Sequence, residues 1–569
     1  MFRPTDRQMK LDVATSVLGD RARARLKGSW AEGIRLKVMP LLLDAEAEFA
    51  AIYCENNGRP NWSVARMLGI LLLAEFSDLS DQEALDCLSF DVRWQYALDL
   101  RADEAYLSRR SLVEFRSRLV AHDPQMQGLE RLFAEVSKAA IKDLKLSFSE
   151  QRLDSTHVMS NIKTRSRADL FAKTLRHFLG FMVGDLAPRL KLLSLPVQEW
   201  FGQEEEGWFG QRSDAEYRKC VEEFAKWLYE AKTVFASDAE VKALESYQLV
   251  VRVLNEHCDE VADTQEGGGS DDTGGSKVRV RTSARSPGTS LQSPYDPDAG
   301  RGYKGSGYSV HITETCRNSS VEMITDFSVV PASTDAGKAL DVARRLEANG
   351  LKAQTLYADA GYGSGLTIVE LRNLGVDLQA PVSRGPTAKD AIGRERFTYD
   401  EQGDVIACPQ GHKPRAHKFI RSLLEVGTKT RHAIFEGRIC NECPVRTRCC
   451  TRLDGQHSKN YQMEITDRVR ARDTRLAEQQ TEAFRQRYAI RSGIEATNSA
   501  LKRTHGLARL RVRRLSRVRL AVAFKLMAFN IKRWVAQVAG VFCDESYARI
   551  TSLLIVALLF PAKHGLFRN

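Results

Sequence analysis

No stretch of this 569-residue chain is apolar for long enough to cross a bilayer. The longest runs, LGILLLAEF (68–76) and LLIVALLF (553–560), are nine and eight residues long, against about 20 for a spanning helix. They read as buried helices. The opening MFRPTDRQMKLDVAT has no cleavable apolar segment, so a cytoplasmic protein with no membrane partner is expected. Cysteine is sparse and uneven: of eleven, five crowd between 408 and 450 and the rest are scattered, which is not a secreted disulfide framework. There is no Walker phosphate loop, so ATP-driven chemistry has no support. Gly300–Gly305 matches G-x-G-x-x-G but lies in no βαβ unit, and carries no dinucleotide expectation. Negative charge is missing from one long segment. Residues 485–533 hold fourteen Lys or Arg and a single acidic residue, Glu495. Net charge over the whole chain is +11 with pI near 9.1. A block of this kind suits a polyanion, most simply nucleic acid.

What is present divides the chain. Residues 1–140 read as a helical module. WSVARMLGILLLAEF has a dense apolar face, and capping boxes are expected at Ser80 with Glu83 and at Ser111 with Glu114. The arginines of SRRSLVEFRSRL suit either DNA binding or a plain helical scaffold. LKLSFSEQRLDSTHV alternates as a strand would, which marks residues 141–160 as the first strand of a core. A helical insertion is expected over 161–262. Residues 263–306, rich in Gly, Ser, Asp and Pro, read as a flexible linker or exposed loop. Strand signals return in GYSVHITETC and VEMITDFSVV as antiparallel neighbours. A helix over 333–350 should end on Gly350, and a strand should run into a turn at Asp359. The core resumes over 307–395, a Cys-rich insertion occupies 396–460, and residues 461–569 carry basic helices. The fold class expected is α+β.

Two aspartates at strand ends, Asp154 and Asp359, could join a carboxylate from further along. Glu495 lies in YAIRSGIEATNSALKR (488–503). On a helical wheel Tyr488, Arg491, Glu495 and Lys502 share an arc of about 60°, opposite Ile490, Ile494 and Leu501. The stripe alone is equally an ion-pair ladder of small energetic value. Three such carboxylates suit Mg²⁺, which takes hard oxygen ligands and keeps waters. Two ions of this kind serve in-line phosphoryl transfer.

The blocks L-D-S-T-H-V, Y-A-D-A-G-Y-G-S and Y-x2-R-x3-E-x6-K resemble those of DDE-type bacterial insertion-sequence transposases, the last being the Y-R-E-K signature of an IS-four/IS-five-like superfamily. SPYDPDA (293–299) and GRPNWSVARMLGILLLAEF (58–76) resemble the same family, the latter its helical N-terminal transposase domain. The resemblance implies a ribonuclease H-like catalytic core with Asp154, Asp359 and Glu495 around Mg²⁺ or Mn²⁺. It implies cleavage at the element's ends and transfer of the freed 3′-OH to target DNA. Tyr488, Arg491 and Lys502 would contact DNA phosphates. The partners would be terminal inverted repeats and target DNA, with a dimer on paired ends, at the bacterial nucleoid. A nuclease of the same fold that does not join ends, or an inactive DNA-binding relative, would share these residues.

The Cys-rich insertion has its own chemistry. Cys408, Cys440, Cys443 and either Cys449 or Cys450 could bind one structural Zn²⁺, with His412 as a substitute. Cys449 is the expected fourth ligand. The first arm holds one cysteine where a strong signal has a pair, and reduced cytosolic thiols are the plain alternative. His157 and His311 fall on strands near the carboxylates and read as core or edge histidines.

Overall fold

A computed structural model describes residues 2–7, 18–54, 61–162, 166–203, 213–261, 278–332, 335, 337–383, 391–401, 403–421, 429–455 and 457–538. The apolar run 553–560 and residues 263–277 of the expected linker lie outside them. No helix among the described residues is long and apolar enough to cross a membrane. The chain divides into two compact units, one of residues 1–147, 318–325 and 522–569, the other of 148–317 and 326–521.

The first unit is helical. Val64–Phe76 buries eleven of its thirteen residues, so it is a central helix rather than an amphipathic one. Its N-terminus is held by Ser63, which accepts from the Arg66 amide, and by the buried carboxylate of Glu46, which accepts from Val64 N at 3.1 Å. A negative group there meets the positive end of the helix dipole. The capping box at Ser80 and Glu83 is present. The one expected at Ser111 is not: the helix Arg109–His122 starts earlier, capped by Ser108, and Glu114 pairs with Arg110 at 2.7 Å instead. Arg116 binds Asp81 through two 2.7 Å hydrogen bonds, so this arginine braces the scaffold. Asn530, fully buried, donates to Ile324 O and accepts from Ile324 N, pinning the entry to a strand.

The second unit is built on a mixed sheet. Its strands are β1 (Glu150–Val158), β2 (Gly300–Gly302), β3 (Gly305–Thr315), β4 (Ile324–Pro331), β5 (Thr355–Ala358) and β6 (Asp377–Gln379). Their order is β2-β3-β1-β5-β6, with β4 also paired to β3. β1 runs antiparallel to β3 and parallel to β5, which is parallel to β6. The α+β class expected from the sequence is compatible with this mixed sheet and its helices. Helix Lys338–Ala348 follows β4, and Gly350 beyond it has φ +69°, as a helix-ending glycine does. Between β1 and β2 three long helices, Arg167–Phe181, Asp214–Val234 and Glu245–His257, bury Phe171, Phe178 and Phe224 in a core of their own.

Residues 278–306 are not the flexible linker their composition suggests. Val278–Val280 pairs with Cys258–Glu260, β2 pairs with β3, and Ser293 and Asp296 are fully buried. Asp296 accepts from Tyr308 Oη at 2.6 Å and from Arg514 N at 2.9 Å, while Asp298 accepts from Leu515 N at 2.9 Å. SPYDPDA is thus a side-chain brace that replaces ladder hydrogen bonds.

Residues 488–503 are likewise not one helix. Helix Glu482–Tyr488 passes into a 3₁₀ turn over Ala489–Ser492, and a second helix runs Gly493–Thr504. The cause is Arg152 of β1. Its guanidinium donates to Ile490 O at 3.0 Å and lies 2.0 Å from where a Cβ on Gly493 would be. Arg152 in turn pairs with the fully buried Glu314 at 2.7 Å, and Glu314 accepts from Thr497 Oγ1 at 2.7 Å. Removing one partner strands a buried charge. Glu314→Ala is therefore expected to lower unfolding free energy by about 3–5 kcal/mol in urea titrations. A change under about 1 kcal/mol would show that the pair holds little.

Candidate active site

The register of the parallel pair sets up the site. Leu153 of β1 faces Ala358 of β5, so the next residues, Asp154 and Asp359, stand side by side, Asp359 just past the end of β5 and Asp154 still in mid-strand, paired with Ile312 of β3, rather than at the strand end expected. Parallel strands about 4.8 Å apart keep consecutive Cα atoms at that spacing, and the carboxyl ends of such strands are where α/β sheets bind ligands. Asp359 Oδ1 accepts from Gly361 N at 2.8 Å, which fixes the turn after β5.

The third carboxylate arrives from the Gly493–Thr504 helix, and Arg491 joins all three. Its Nη2 lies 2.9 Å from Asp154 Oδ1 and 3.9 Å from Asp359 Oδ2, and its Nη1 lies 2.9 Å from Glu495 Oε1. Exposure rises through the trio: the side chains of Asp154, Asp359 and Glu495 are 12%, 36% and 64% exposed. Burial pushes the Asp154 carboxyl above the usual carboxylate range, and the Arg491 charge pulls it back. Tyr488 donates to Ala358 O at 3.0 Å. Burial holds its phenol up to about 12, with Arg491 opposing and the three carboxylates adding to the rise. It is therefore a neutral packing group against β5, stacked on Phe484. Lys502 is depressed by burial and by the charge of Lys304, and Asp154 acts in the opposite sense.

Two polar residues of this cluster carry no signal in the motif blocks. Asn498, 8% exposed, donates to Asp154 Oδ2 at 3.1 Å. It stands one turn past Glu495, a spacing that faces the same way. Asp335 is a fourth carboxylate. A Cβ on Gly361 would lie 3.0 Å from Asp359 Oδ1 and 3.1 Å from Asp335 Oδ2, so the two flank one glycine. Burial raises the Asp335 carboxyl, the Ser155 hydroxyl lowers it by donating to it, and Asp359 and Asp154 raise it further. His311 bonds Tyr362 Oη at 2.6 Å and lies 3.8 Å from Asp335, with its pKa pushed down to about 4 chiefly by burial. It is a neutral core histidine. His157 is also held neutral by burial, with the charges of Lys502 and Lys304 adding.

The cysteines sit elsewhere in the unit. Strands Ala416–Arg421, Lys429–Phe435, Tyr461–Ile465 and Arg452–Leu453 form a separate antiparallel sheet. Cys408, Cys440, Cys443 and Cys449 line one cavity with His412. Cys408 opens a tight turn closed by Gly411 N donating to its carbonyl, with Gly411 at φ +81°. Burial lifts the Cys440 thiol to about 11, and Cys449, Cys408 and Cys443 add to the rise. Cys450 packs toward Met463 Sδ at 3.9 Å. All five thiols are free. Among the described residues no group of three or more His, Cys, Asp or Glu is arranged to hold a metal ion as it stands. In the carboxylate cluster the Arg491 guanidinium pairs with Asp154 and Glu495 and approaches Asp359.

Residues 407–535 match a sequence family described as a transposase DDE domain, and residues 27–118 match one described as a transposase domain, DUF772. The first match takes in Arg491, Glu495 and the four cysteines, while β1 and β5 lie outside it. No curated protein and no solved structure was found to match. Together the two matches support an insertion-sequence DDE transposase, a class that acts on DNA and uses divalent metal in general.

Proposed function

We propose that this chain is the transposase of an insertion sequence, with a ribonuclease H-like core in its second unit. In this reading Asp154, Asp359 and Glu495 hold Mg²⁺ or Mn²⁺, cleave the element's ends and transfer the 3′-OH to target DNA. The carrying observation is the convergence of three carboxylates, distant in sequence, on one guanidinium. A cation already occupies the centre of the oxygen set, so the site is built for positive charge. Hard carboxylate oxygens suit Mg²⁺, which would activate the attacking oxygen and stabilise the leaving one. Asn498 orients Asp154, Tyr488 holds the end of β5 just before Asp359, and Lys502 offers a phosphate contact on the same helix as Glu495. Strand order β4-β3-β1-β5-β6, with β1 antiparallel to β3 and parallel to β5, supports the ribonuclease H-like reading.

The test is cleavage and joining of the DNA that flanks this gene. With Mg²⁺ the protein should hydrolyse the phosphodiester bond at each element end, leaving a 3′-OH, and yield strand-transfer products, and EDTA should stop both. Nicking without joined products would leave a nuclease, and tight binding with neither would leave a DNA-binding relative.

The shared cavity lined by Cys408, Cys440, Cys443 and Cys449 supports the reading that these four hold a structural zinc. Protein purified without chelator should carry about one zinc per chain by elemental analysis, and Cys440→Ser should lose it. Zinc-free, fully folded wild type would leave these residues as reduced thiols.

A further inference from the structure

Arg152 and Glu314 are buried charges that the proposed chemistry does not use. They lie directly opposite each other on β1 and β3, with side chains 9% and 0% exposed. Arg152 Nε and Nη2 lie 2.8 and 2.7 Å from Glu314 Oε1. A buried pair is a costly way to gain stability, which points to a use in positioning. Each member also holds the segment that carries Glu495. Arg152 Nη1 donates to Ile490 O at 3.0 Å and leaves no room for a Cβ on Gly493. Glu314 Oε2 accepts from Thr497 Oγ1 at 2.7 Å. Glu495 stands midway between these two fastened residues, Gly493 and Thr497.

The helix Gly493–Thr504 turns about 100° per residue. Ile494 and Leu501, both 0% exposed, mark the centre of its buried face. Gly493 and Thr497 fall on one edge of that face, and Asn498, Lys502 and Glu495 follow on the other. Apolar packing is not directional, so Ile494 and Leu501 hold the helix down without fixing its roll about its own axis. Directional bonds do that: Arg152 and Glu314 fasten the first edge, and Asn498, bonded to Asp154 at 3.1 Å, fastens the second. A roll of about 20° at a side-chain radius of roughly 5 Å would carry Glu495 by about 2 Å. A displacement of about 1 Å can cost a hundredfold in rate.

We propose that the Arg152–Glu314 pair positions the third carboxylate: it clasps the turn before the helix and the Thr497 hydroxyl one turn into it, and so sets Glu495 against Asp154 and Asp359. This rests on the reading of Glu495 as a metal ligand and adds two positioning residues that lie outside all three motif blocks. Arg152 stands two residues before Asp154, on the same face of β1. One strand thus supplies a metal ligand and the anchor for another, which keeps the two at a fixed spacing. Partners that orient metal ligands are worth about tenfold to a hundredfold in affinity.

The test measures Mn²⁺ affinity of the full chain on uncleavable end DNA, by electron paramagnetic resonance, for Arg152→Lys and Thr497→Val. Thr497→Val keeps the buried pair and removes only the hydroxyl, so it decides alone where Arg152→Lys is too unstable to titrate. Both should bind Mn²⁺ about tenfold more weakly than wild type. Gly493→Ala, whose methyl displaces the guanidinium, should behave as Arg152→Lys does. Placed in a Glu495→Gln chain, the same substitutions should cost no further affinity, because the carboxylate they position is gone. A pair that serves only the fold would give no loss, or a loss of equal size with and without Glu495. Wild-type affinity in Thr497→Val and Arg152→Lys, or an undiminished further loss in the Glu495→Gln chain, would overturn the positioning proposal. Glu495→Gln binding Mn²⁺ as tightly as wild type would instead sink the reading of Glu495 as a ligand.

Discussion

Asp359→Asn should abolish Mg²⁺-dependent end cleavage, lowering the rate about a thousandfold or more, or about 4 kcal/mol of transition-state stabilisation. The substitution is chosen for what it keeps. Asparagine retains a side-chain oxygen for the Gly361 amide, so the turn after β5 survives and only the charge is lost. Asp359 is partly exposed, and its removal relieves repulsion with Asp154 and Asp335, so stability should hold or rise slightly. Asp154→Asn and Glu495→Gln should fail alike in cleavage. They differ in stability, because Asp154 is buried against Arg491 and Asn498 whereas Glu495 lies largely in solvent. DNA binding, expected of the basic segment over 485–533, should remain in all three. Cleavage within tenfold of wild type by any one of them would remove that carboxylate from the chemistry.

Arg491→Ala should separate metal binding from catalysis. In the metal-free protein the guanidinium neutralises the cluster: it touches Asp154 and Glu495 at 2.9 Å and approaches Asp359. A divalent ion entering the same space must displace that charge. Unit charges about 4 Å apart interact by about 4 kcal/mol at an effective dielectric of 20, and solvent exposure of Glu495 reduces the effect here. Removing Arg491 should therefore tighten Mn²⁺ binding without DNA by about tenfold, which is about 1.4 kcal/mol. The apo variant should unfold more easily, since Asp154 is left buried and unpaired, and Mg²⁺ should recover much of that loss. Cleavage should nonetheless fall about a hundredfold, because the displaced guanidinium is the group that would turn to a DNA phosphate. Metal titration by calorimetry and single-turnover cleavage read the two effects separately. Weaker metal binding in Arg491→Ala would mean that the arginine supports the site rather than holding its place.

How much of this was legible in the sequence depended on whether a residue's role is set locally. The alternation of QRLDSTHV gives β1, and the apolar QTLYA before Asp359 gives β5. Asp359 sits just past a strand end because the short apolar run stops where a carboxylate and glycines begin, but Asp154 lies in the middle of β1, which continues to Val158 because its far side pairs with β3. The single helix over 488–503 failed because a helical wheel contains only local geometry. The Arg152 guanidinium that breaks it comes from a residue more than three hundred positions earlier. The linker over 263–306 failed, in its described part, for a related reason. Gly, Ser, Asp and Pro mark irregular backbone, but irregular backbone is rigid when buried side chains such as Asp296 satisfy it. Asp335 had no periodic partner and became visible only through Gly361, which it flanks together with Asp359. The capping box at Ser111 lost to a plain N-cap at Ser108, whose hydroxyl accepts from the Ser111 amide and so starts the helix one turn earlier.

The account stands on Asp154, Asp359 and Glu495 binding divalent metal together. Its most direct test is a count of bound Mn²⁺ by electron paramagnetic resonance on the complex with uncleavable end DNA, for wild type and for Asp359→Asn. The prediction is about two tightly bound ions per wild-type active site, and at least one fewer in the variant. Equal counts in the two proteins would contradict it.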